Sequence, residues 1–321
     1  MTDIGSADYG AQRFSQDSGE GASASHFRFG AELVQSRKLL LEVLTAFEGQ
    51  KEALTVIGAH AVFERVKHMT GDLAMDSTRD ADVAVLPQLV TAVPQVGEVM
   101  ASLGLELASP SRPGVWGRSS DSRGDLHGRL TIDLIAPAAL AGNGRRAARI
   151  EGEHGKNSVS KTAGVELVLV DRSLLTLESF DTSGASAEVY VAGVAALLCA
   201  KAYKLHDRLN ARELVRKPDR LRPKDAGDMW RLMKVSAGAA VRATFDEAAA
   251  DPRIGEAVAL GAQHLNELAT NRAWLPQLAV LHLRDTYNEK AVRGVIDEWI
   301  GAFGRAEQTS QAAGRPSGTI G

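Results

Sequence analysis

Apolar residues from Phe29 onward first follow a helical period and then form short β-rich runs. Leu33, Leu40, Val43 and Leu44 are spaced as on one helix face, which predicts a helix ending near Gly49. The run LTVIG (54–58) is short, apolar and closed by glycine. It predicts a strand entering a tight turn, and AHAVFERV directly after it predicts a helix.

Further strand patterns alternate with one more helical pattern before residue 193. ADVAVL (81–86) and RLTIDLIAP (129–137) predict two strands, with a helix over 88–103 between them. Residues 164–180 predict a β-pair and 187–192 another strand. This alternation is typical of an α/β or α+β domain with a mixed sheet.

From Val194 the pattern becomes helical throughout. We therefore expect a sheet domain over 29–190 followed by a helical domain over 191–303. The predicted later helices cover 225–235, 238–250, 253–269, 273–284 and 287–303. Residues 1–28 and 304–321 are poor in large apolar side chains, which predicts two disordered tails.

Composition narrows the class of protein. The chain has 321 residues, 44% hydrophobic and 24% charged, which excludes a wholly disordered, collagen-like or coiled-coil protein. The formal net charge of -3 excludes a general polycation, and the single cysteine, Cys199, excludes an internal disulfide. No uncharged apolar run reaches the ~18 residues of a membrane span, and no secretory signal is visible. We expect a soluble cytoplasmic protein.

Two carboxylates stand at the start of a predicted strand. Asp80 and Asp82 in TRDADVAV are two residues apart, so both side chains point to one face. Neighbouring carboxylates repel unless a positive charge lies between them, and a pair of Mg²⁺ ions supplies it in phosphoryl and nucleotidyl transfer. Asp-x-Asp alone also fits a solvated strand start or an Asx turn.

Two features strengthen the magnesium interpretation. Asp133 lies in the otherwise apolar strand TIDLIAP, and it would complete a three-carboxylate cluster if this strand adjoins the strand of Asp80 and Asp82. Asp133 could instead point outward, since alternation alone does not fix its direction. Gly58 ends a strand before a helix, where backbone N–H groups can approach a phosphate.

A basic segment lies in the helical half. Lys201, Lys204 and Arg208 share one helix face, and Pro223 places Asp225 in the first turn of a following helix. Residues 201–234 hold eleven Lys plus Arg and five Asp plus Glu, a local excess of +6. This excess favours a polyanionic partner such as a triphosphate or RNA, although a solvated helix face with local ion pairs is the alternative.

The order of these segments resembles the nucleotidyltransferase superfamily with a DNA polymerase β-like fold. More narrowly, it looks like the AbiEii/AbiGii toxin family, which includes the MenT-type toxins. The resemblance covers about 180 residues and rests on order and spacing. Its segments are IGAHAVFERV (57–66), STRDADVAVL (77–86), TIDLIAP (131–137) and the stretch from LLCAKAYKLHDR to KDAGDMWRLM (197–233).

The resemblance implies transfer of a nucleoside monophosphate from an NTP such as ATP to an acceptor hydroxyl, with release of pyrophosphate. Mg²⁺ is the implied cofactor, with Mn²⁺ as an alternative. The implied acceptor is RNA, namely the 3′ end of tRNA. The implied biological role is that of the toxin in a toxin–antitoxin or phage-defence pair, with an antitoxin protein as a partner and no role at a membrane.

The resemblance also implies a role for each residue. Asp80 and Asp82 would hold the metal, and Asp133 would be the third metal ligand or a general base. Lys201 would hold the triphosphate, and Asp225 would orient Lys201 or the acceptor. The nucleotide site would further include Gly58, Thr78, Lys204 and Arg208.

Two departures from the family pattern keep other functions open. Ala59 stands where the family commonly has Gly or Ser, and Asp76 stands where it often has Arg. A nucleotidyltransferase acting on a small molecule or a protein is one alternative. A catalytically degenerate module that binds a nucleotide or a partner protein is the other.

Overall fold

The fold combines one mixed sheet with a layer of helices. The computed structural model describes residues 29–69, 78–109, 111–118, 130–270 and 274–313. The strands are β1 (Leu54–Ile57), β2 (Asp80–Val85), β3 (Leu105–Leu107), β4 (Val115–Arg118), β5 (Thr131–Pro137), β6 (Ser160–Thr162), β7 (Arg172–Glu178) and β8 (Ser186–Ala192).

The sheet places β2 and β5 side by side near its middle. The strand order is β3-β4-β5-β2-β1-β8-β7, and β6 pairs with β5 off this path. β2 runs parallel to β5 and antiparallel to β1, while β1 runs parallel to β8. Both chemistry-bearing strands predicted from sequence are therefore neighbours, each with a strand on its other side.

The helices of the described residues precede, interrupt and follow the sheet. They are α1 (Ala31–Ala46), α2 (Gly58–Val66), α3 (Val96–Ser102), α4 (Val194–Arg208), α5 (Ala211–Arg216), α6 (Pro223–Lys234), α7 (Gly238–Ala249), α8 (Gly255–Thr270), α9 (Trp274–Leu283) and α10 (Glu289–Ala313). None of them combines the length and the apolar character that a membrane crossing requires. Short 3-10 helices cover Glu48–Ala53, Pro87–Leu89, Glu166–Leu169 and Pro218–Arg220.

The mixed α/β class predicted from sequence is confirmed, but the β-pair predicted over 164–180 is wrong. Only its second half is a strand, and β7 pairs with β8. The first half forms the 3-10 helix Glu166–Leu169. The Glu166 carboxylate accepts hydrogen bonds from the backbone N–H groups of Gly164 and Ala139, at 2.6 and 3.3 Å, which folds this apolar run into a turn.

The helix predicted over 88–103 is also wrong in extent. Its helical part is limited to α3, which starts at Val96. Pro94 has no backbone N–H to donate and disfavours helical geometry in the residue before it. The residues before α3 form only the 3-10 helix Pro87–Leu89 and irregular structure.

The ends of the helical half differ from the prediction as well. α10 continues ten residues past 303, through a stretch rich in Ala, Gln and Glu that favours helix. The predicted tail over 1–28 lies outside the described residues, as does the end of the second tail, 314–321. The change from sheet to helices takes place at Gly193, between β8 and α4.

One apolar core joins the sheet and the helices. Buried side chains of β2 and β5, such as Val83 and Leu134, belong to the same cluster as Leu198 of α4 and Trp230 of α6. α2 packs against β2, α4 and α6. The helices that carry the basic segment are therefore fixed beside the strands that carry the aspartates.

The N-terminus of α4 is held by a carboxylate from the start of β7. Asp171 Oδ2 accepts a hydrogen bond from the Ala196 N–H at 2.8 Å, and its backbone oxygen accepts one from Gly193 at 2.8 Å. A Cβ at Gly193 would lie 1.9 Å from Asp171 Oδ1, so only glycine fits this contact. Asp171 thus anchors the helix that carries Lys201.

We expect Asp171→Ala to lower the free energy of unfolding by about 0.5–2 kcal/mol, the usual loss when a helix N-terminal acceptor is removed. Burial raises the pKa of Asp171, so the neutral isostere in Asp171→Asn should cause a smaller loss. Urea unfolding of the three proteins checks both expectations. Equal midpoints for wild type and Asp171→Ala would contradict this anchoring role.

Candidate functional site

Strand register brings the predicted aspartates together. Asp82 of β2 is the register partner of Asp133 of β5, and Asp80 is the partner of Thr131. Partners on adjacent parallel strands point to the same face, and the period of two adds Asp80 to that face. The carboxylate cluster of Asp80, Asp82 and Asp133 is therefore formed by two neighbouring strands.

The electrostatics of this cluster are unfavourable without a cation. Burial and the charge of Asp80 raise the pKa of Asp82 to about 6, although Lys204 and Lys201 act in the opposite direction. Burial and the charges of Asp82 and Asp80 raise the pKa of Asp133 to about 8. In the described part of the chain, no group donates a hydrogen bond to the buried Asp133 Oδ1. The surrounding groups therefore do not stabilise the ionised forms of both Asp82 and Asp133.

Asp80 differs from the other two carboxylates. The Thr78 hydroxyl donates to Asp80 Oδ1 and lies 3.2 Å from its backbone oxygen. Burial opposes ionisation, but the Thr78 hydrogen bond and the charges of Lys204 and Lys224 outweigh it and hold the pKa of Asp80 below its ordinary value. Thr78, predicted to contact the nucleotide, therefore contacts and orients a carboxylate.

The glycine turn lies directly against Asp82. Ile57, the last residue of β1, is the register partner of Asp82, and Gly58 begins α2 with a φ of 65°. A Cβ at Gly58 would lie 2.0 Å from Asp82 Oδ2. Glycine is required here for two reasons, since it permits the left-handed backbone and leaves room for the carboxylate.

The second part of the site is a cluster of cations around two aspartates on α4 and α6. Lys201 Nζ lies 3.2 Å from Asp225 Oδ1 and 2.8 Å from Asp228 Oδ2. Lys204 and Arg208 each reach Asp225 at 2.9 Å. The Lys201–Asp225 contact implied by the family resemblance is thus present, and three cations converge on one carboxylate.

Lys201 and Lys204 have different surroundings. The Lys201 side chain is 8% exposed, and its two aspartate partners outweigh burial and raise its pKa above the ordinary value. Lys204 is 44% exposed at the side chain, and burial together with the charges of Lys201 and Arg208 lowers its pKa despite Asp225. Lys201 is therefore a neutralised internal cation, whereas Lys204 keeps an accessible ammonium group.

The two clusters face each other closely enough to interact. Lys204 and Lys201 stabilise the ionised form of Asp82, and Lys204 also favours ionisation of Asp80 and Asp133. All the predicted charged residues of the site therefore belong to one electrostatic assembly. Gly58, beside Asp82, lies at the junction of the two parts.

Sequence reasoning missed two basic residues of this assembly. Lys224 favours ionisation of Asp80, and Arg112 favours ionisation of Asp133. Lys224 precedes Asp225 at the start of α6, so its position could have been inferred from the helix that Pro223 begins. Arg112 comes from the loop before β4, and no sequence pattern points to it. Asp76 lies outside the described residues.

His60, in the first turn of α2, is only partly satisfied. Its Nε2 lies 3.0 Å from Ser36 Oγ, while none of the described residues offers a hydrogen-bond partner to the buried Nδ1. Burial and the nearby Arg37 guanidinium lower the pKa of His60 to about 3, so its ring is neutral at physiological pH.

The carboxylate cluster fits a hard divalent cation in its donor chemistry. Mg²⁺ prefers carboxylate oxygen, and a cation there would relieve the repulsion that raises the pKa values of Asp82 and Asp133. The oxygens of Asp80, Asp82 and Asp133 do not all approach within 4.8 Å of one another. One ion bound to all three carboxylates would therefore require a side-chain rotation. Asp80, which is bound to Thr78 at the exposed start of β2, is the side chain placed to rotate.

The comparisons with known proteins leave the site to be interpreted from its geometry. No protein-family model matches this chain, and no curated protein matches it either.

The raised pKa values predict how stability depends on pH. Between about pH 4 and about pH 8 the unfolded chain releases the Asp133 proton while the folded chain retains it, so the contribution of Asp133 to the free energy of unfolding falls as pH rises. We expect Asp133→Asn to lose less stability than wild type over this range. Urea midpoints at about pH 5 and about pH 8 measure the difference.

Magnesium should reverse this loss at the higher pH. At ~10 mM Mg²⁺ and about pH 8, the wild-type midpoint should rise, because the ion binds the ionised carboxylates of the folded state. Asp133→Asn should gain less, and exposed Asp297→Asn on α10 serves as the matched control. Equal gains in all three proteins would show that the ion does not bind at the cluster.

The close contact at the glycine turn yields a second prediction. Gly58→Ala should lower the free energy of unfolding by at least ~1–2 kcal/mol, since the left-handed backbone strains alanine and the methyl group displaces Asp82. Gly294→Ala is the control, because a Cβ there meets nothing within 4 Å. Urea unfolding without Mg²⁺ should show the loss for Gly58→Ala only; a wild-type midpoint for that variant would refute the contact.

Proposed function

We propose that this protein is a metal-dependent nucleotidyltransferase of the polymerase β-like type. The observation that carries the proposal is the alignment of Asp82 with Asp133 on neighbouring parallel strands, beside a glycine turn and opposite Lys204. The strand–glycine–helix unit, the Asp-x-Asp strand and the later Asp strand also follow the order of that superfamily. A nucleotidyltransferase-like sheet domain followed by helices is part of the same proposal.

Asp80, Asp82 and Asp133 would hold Mg²⁺, or Mn²⁺ in its place. The bound ions would neutralise charge on the NTP phosphates and on the departing pyrophosphate. The carboxylates themselves fix where the ions bind, since β2 and β5 set their spacing. Thr78 keeps Asp80 oriented, and Gly58 leaves Asp82 the room it needs.

Asp133 is also suited to accept the proton of the acceptor hydroxyl. A general base works best when its pKa is near the working pH. The pKa of Asp133 is raised to about 8 without an ion, and a bound cation would lower it, so that the carboxylate is ionised and able to accept a proton. Among the described residues, no hydrogen bond to its Oδ1 has to be broken first. We therefore assign Asp133 to both roles that the family resemblance implies, metal ligand and proton acceptor.

The positive groups on α4 favour a division of labour. Lys201 is buried between Asp225 and Asp228, so we assign it to holding α4 and α6 in place. Lys204 has an accessible ammonium group that already acts on Asp82. We assign Lys204, with Arg208 in support, to the triphosphate, and Asp225 to the orientation of all three cations.

The acceptor we propose is RNA, with the 3′ end of tRNA as the first candidate. The segment after α4 exposes a row of basic side chains suited to a phosphate backbone. They are Arg212, Arg216, Lys217, Arg220 and Arg222. Transfer to tRNA would block translation, which fits a toxin held in check by an antitoxin.

A transfer assay tests the proposal. The full chain is incubated with total tRNA, Mg²⁺ and each of the four labelled NTPs, and label is expected on RNA. Asp82→Asn should reduce transfer at least ~10²-fold, because the ions that neutralise the transition state lose a ligand. Chelation of the metal should abolish transfer, and Asp297→Asn should retain it.

The same assay separates the alternatives. Label on a protein or a small molecule would replace RNA as the acceptor and leave the enzyme class intact. Failure of folded protein to transfer any of the four nucleotides would refute the activity. Calorimetry showing NTP binding that neither Mg²⁺ nor Asp82→Asn alters would instead support a degenerate binding module.

A further inference from the structure

A second set of metal-type ligands lies on the opposite side of α4. Among the described residues, His206, His264 and Glu267 form a group whose ligand atoms all lie within 4.8 Å of one another. His206 is on α4, and the other two are on α8, one turn apart. This group, the histidine–glutamate cluster, contains no residue of the proposed nucleotide site.

The spacing inside the cluster suits a bound ion. His206 Nε2 lies 3.2 Å from Glu267 Oε2, close to the ~3.4 Å between two ligand atoms that bind one tetrahedral ion at ~2.1 Å. The His206 and His264 rings are stacked with centroids 3.7 Å apart, so one ring has to turn before both in-plane lone pairs point at the same ion. His206 is 44% exposed at the side chain, so it can tilt toward a shared ion.

His264 supplies an independent observation. The residue is only 8% exposed, and its buried Nδ1 has no hydrogen-bond partner among the residues that the structure describes. The His264 and Tyr203 rings meet edge-on with centroids 4.9 Å apart, which fixes the plane of the imidazole. A buried ring nitrogen without a partner is unfavourable, and a cation bound at Nδ1 would remove that deficit.

We infer that His206, His264 and Glu267 form a binding site for a divalent transition-metal ion of the Zn²⁺ class, which links α4 to α8. Two imidazoles and one carboxylate are a ligand set for Zn²⁺, with water in the fourth position. Glu267 is 34% exposed at the side chain, so that water can enter. Mg²⁺ is excluded from this role because it prefers oxygen ligands.

α4 and α8 pack closely against each other beside the histidine–glutamate cluster. Gly261 of α8 has no side chain to separate the helices, and a Cβ there would lie 2.4 Å from Cys199 Sγ of α4. The Tyr203 hydroxyl donates to the Ala257 backbone oxygen at 2.7 Å. Residues two positions apart on a helix point ~200° apart around its axis, so His206 faces away from Lys204. The ion would thus bind to the face of α4 that points away from the proposed nucleotide site.

Calorimetric titration of the full chain with Zn²⁺ tests the site. Excess Mg²⁺ is present so that oxygen-only sites are occupied. One Zn²⁺ per chain is expected, and His264→Asn, His206→Asn and Glu267→Gln should each weaken binding at least ~10-fold, the lower bound for the loss of even a supporting group. Exposed His68→Asn should bind as wild type does.

Thermal unfolding supplies the second measurement. Zn²⁺ should raise the Tm of wild type and of His68→Asn, and raise it less in the three cluster variants. If His264→Asn fails to fold, the two variants at partly exposed positions decide the question. Absence of Zn²⁺ binding by wild type, or equal binding by all variants, would overturn the inference. Neither readout depends on nucleotidyl transfer.

Discussion

Repulsion between the carboxylates of Asp82 and Asp133 is the constraint around which the proposed site is organised. Register places the two groups side by side on β2 and β5, and burial removes the water that would screen them. Lys204 offsets only part of this repulsion, since the pKa of Asp133 still reaches about 8. In the proposed function, a bound cation would supply the balancing charge.

The basic side of the site is organised in the opposite way, because each of its buried carboxylates is paired with cations and the cations are in excess. Asp225 accepts from Lys201, Lys204 and Arg208, which holds its pKa far below the ordinary range despite burial. Asp228 adds a second anion beside Lys201. This network locks α4 to α6, while Lys204 remains accessible. The cations held between α4 and α6 thus face a carboxylate cluster that lacks enough positive charge.

Sequence patterns predicted the parts of the site that depend on local periodicity. Asp80 and Asp82 follow from period two, and the position of Asp225 follows from Pro223 at the start of α6. The pairing of β2 with β5 is a tertiary property that alternation along one strand does not encode. The apolar run after Gly164 contains the 3-10 helix Glu166–Leu169, where the Glu166 carboxylate binds the backbone N–H groups of Gly164 and of the distant Ala139. Arg112 reached the site through a loop with no periodic signal.

The contact between Gly58 and Asp82 has a consequence for how this molecule responds to its ligands. The backbone that begins α2 and the carboxylate opposite it compete for one small volume, with no residue between them. Under the proposed function, a nucleotide bound at the turn would constrain the Asp82 rotamer, and an ion bound to Asp82 would stiffen the turn. By reciprocity, occupancy of either position would alter affinity at the other, so cation and nucleotide would be coupled through a single missing methyl group.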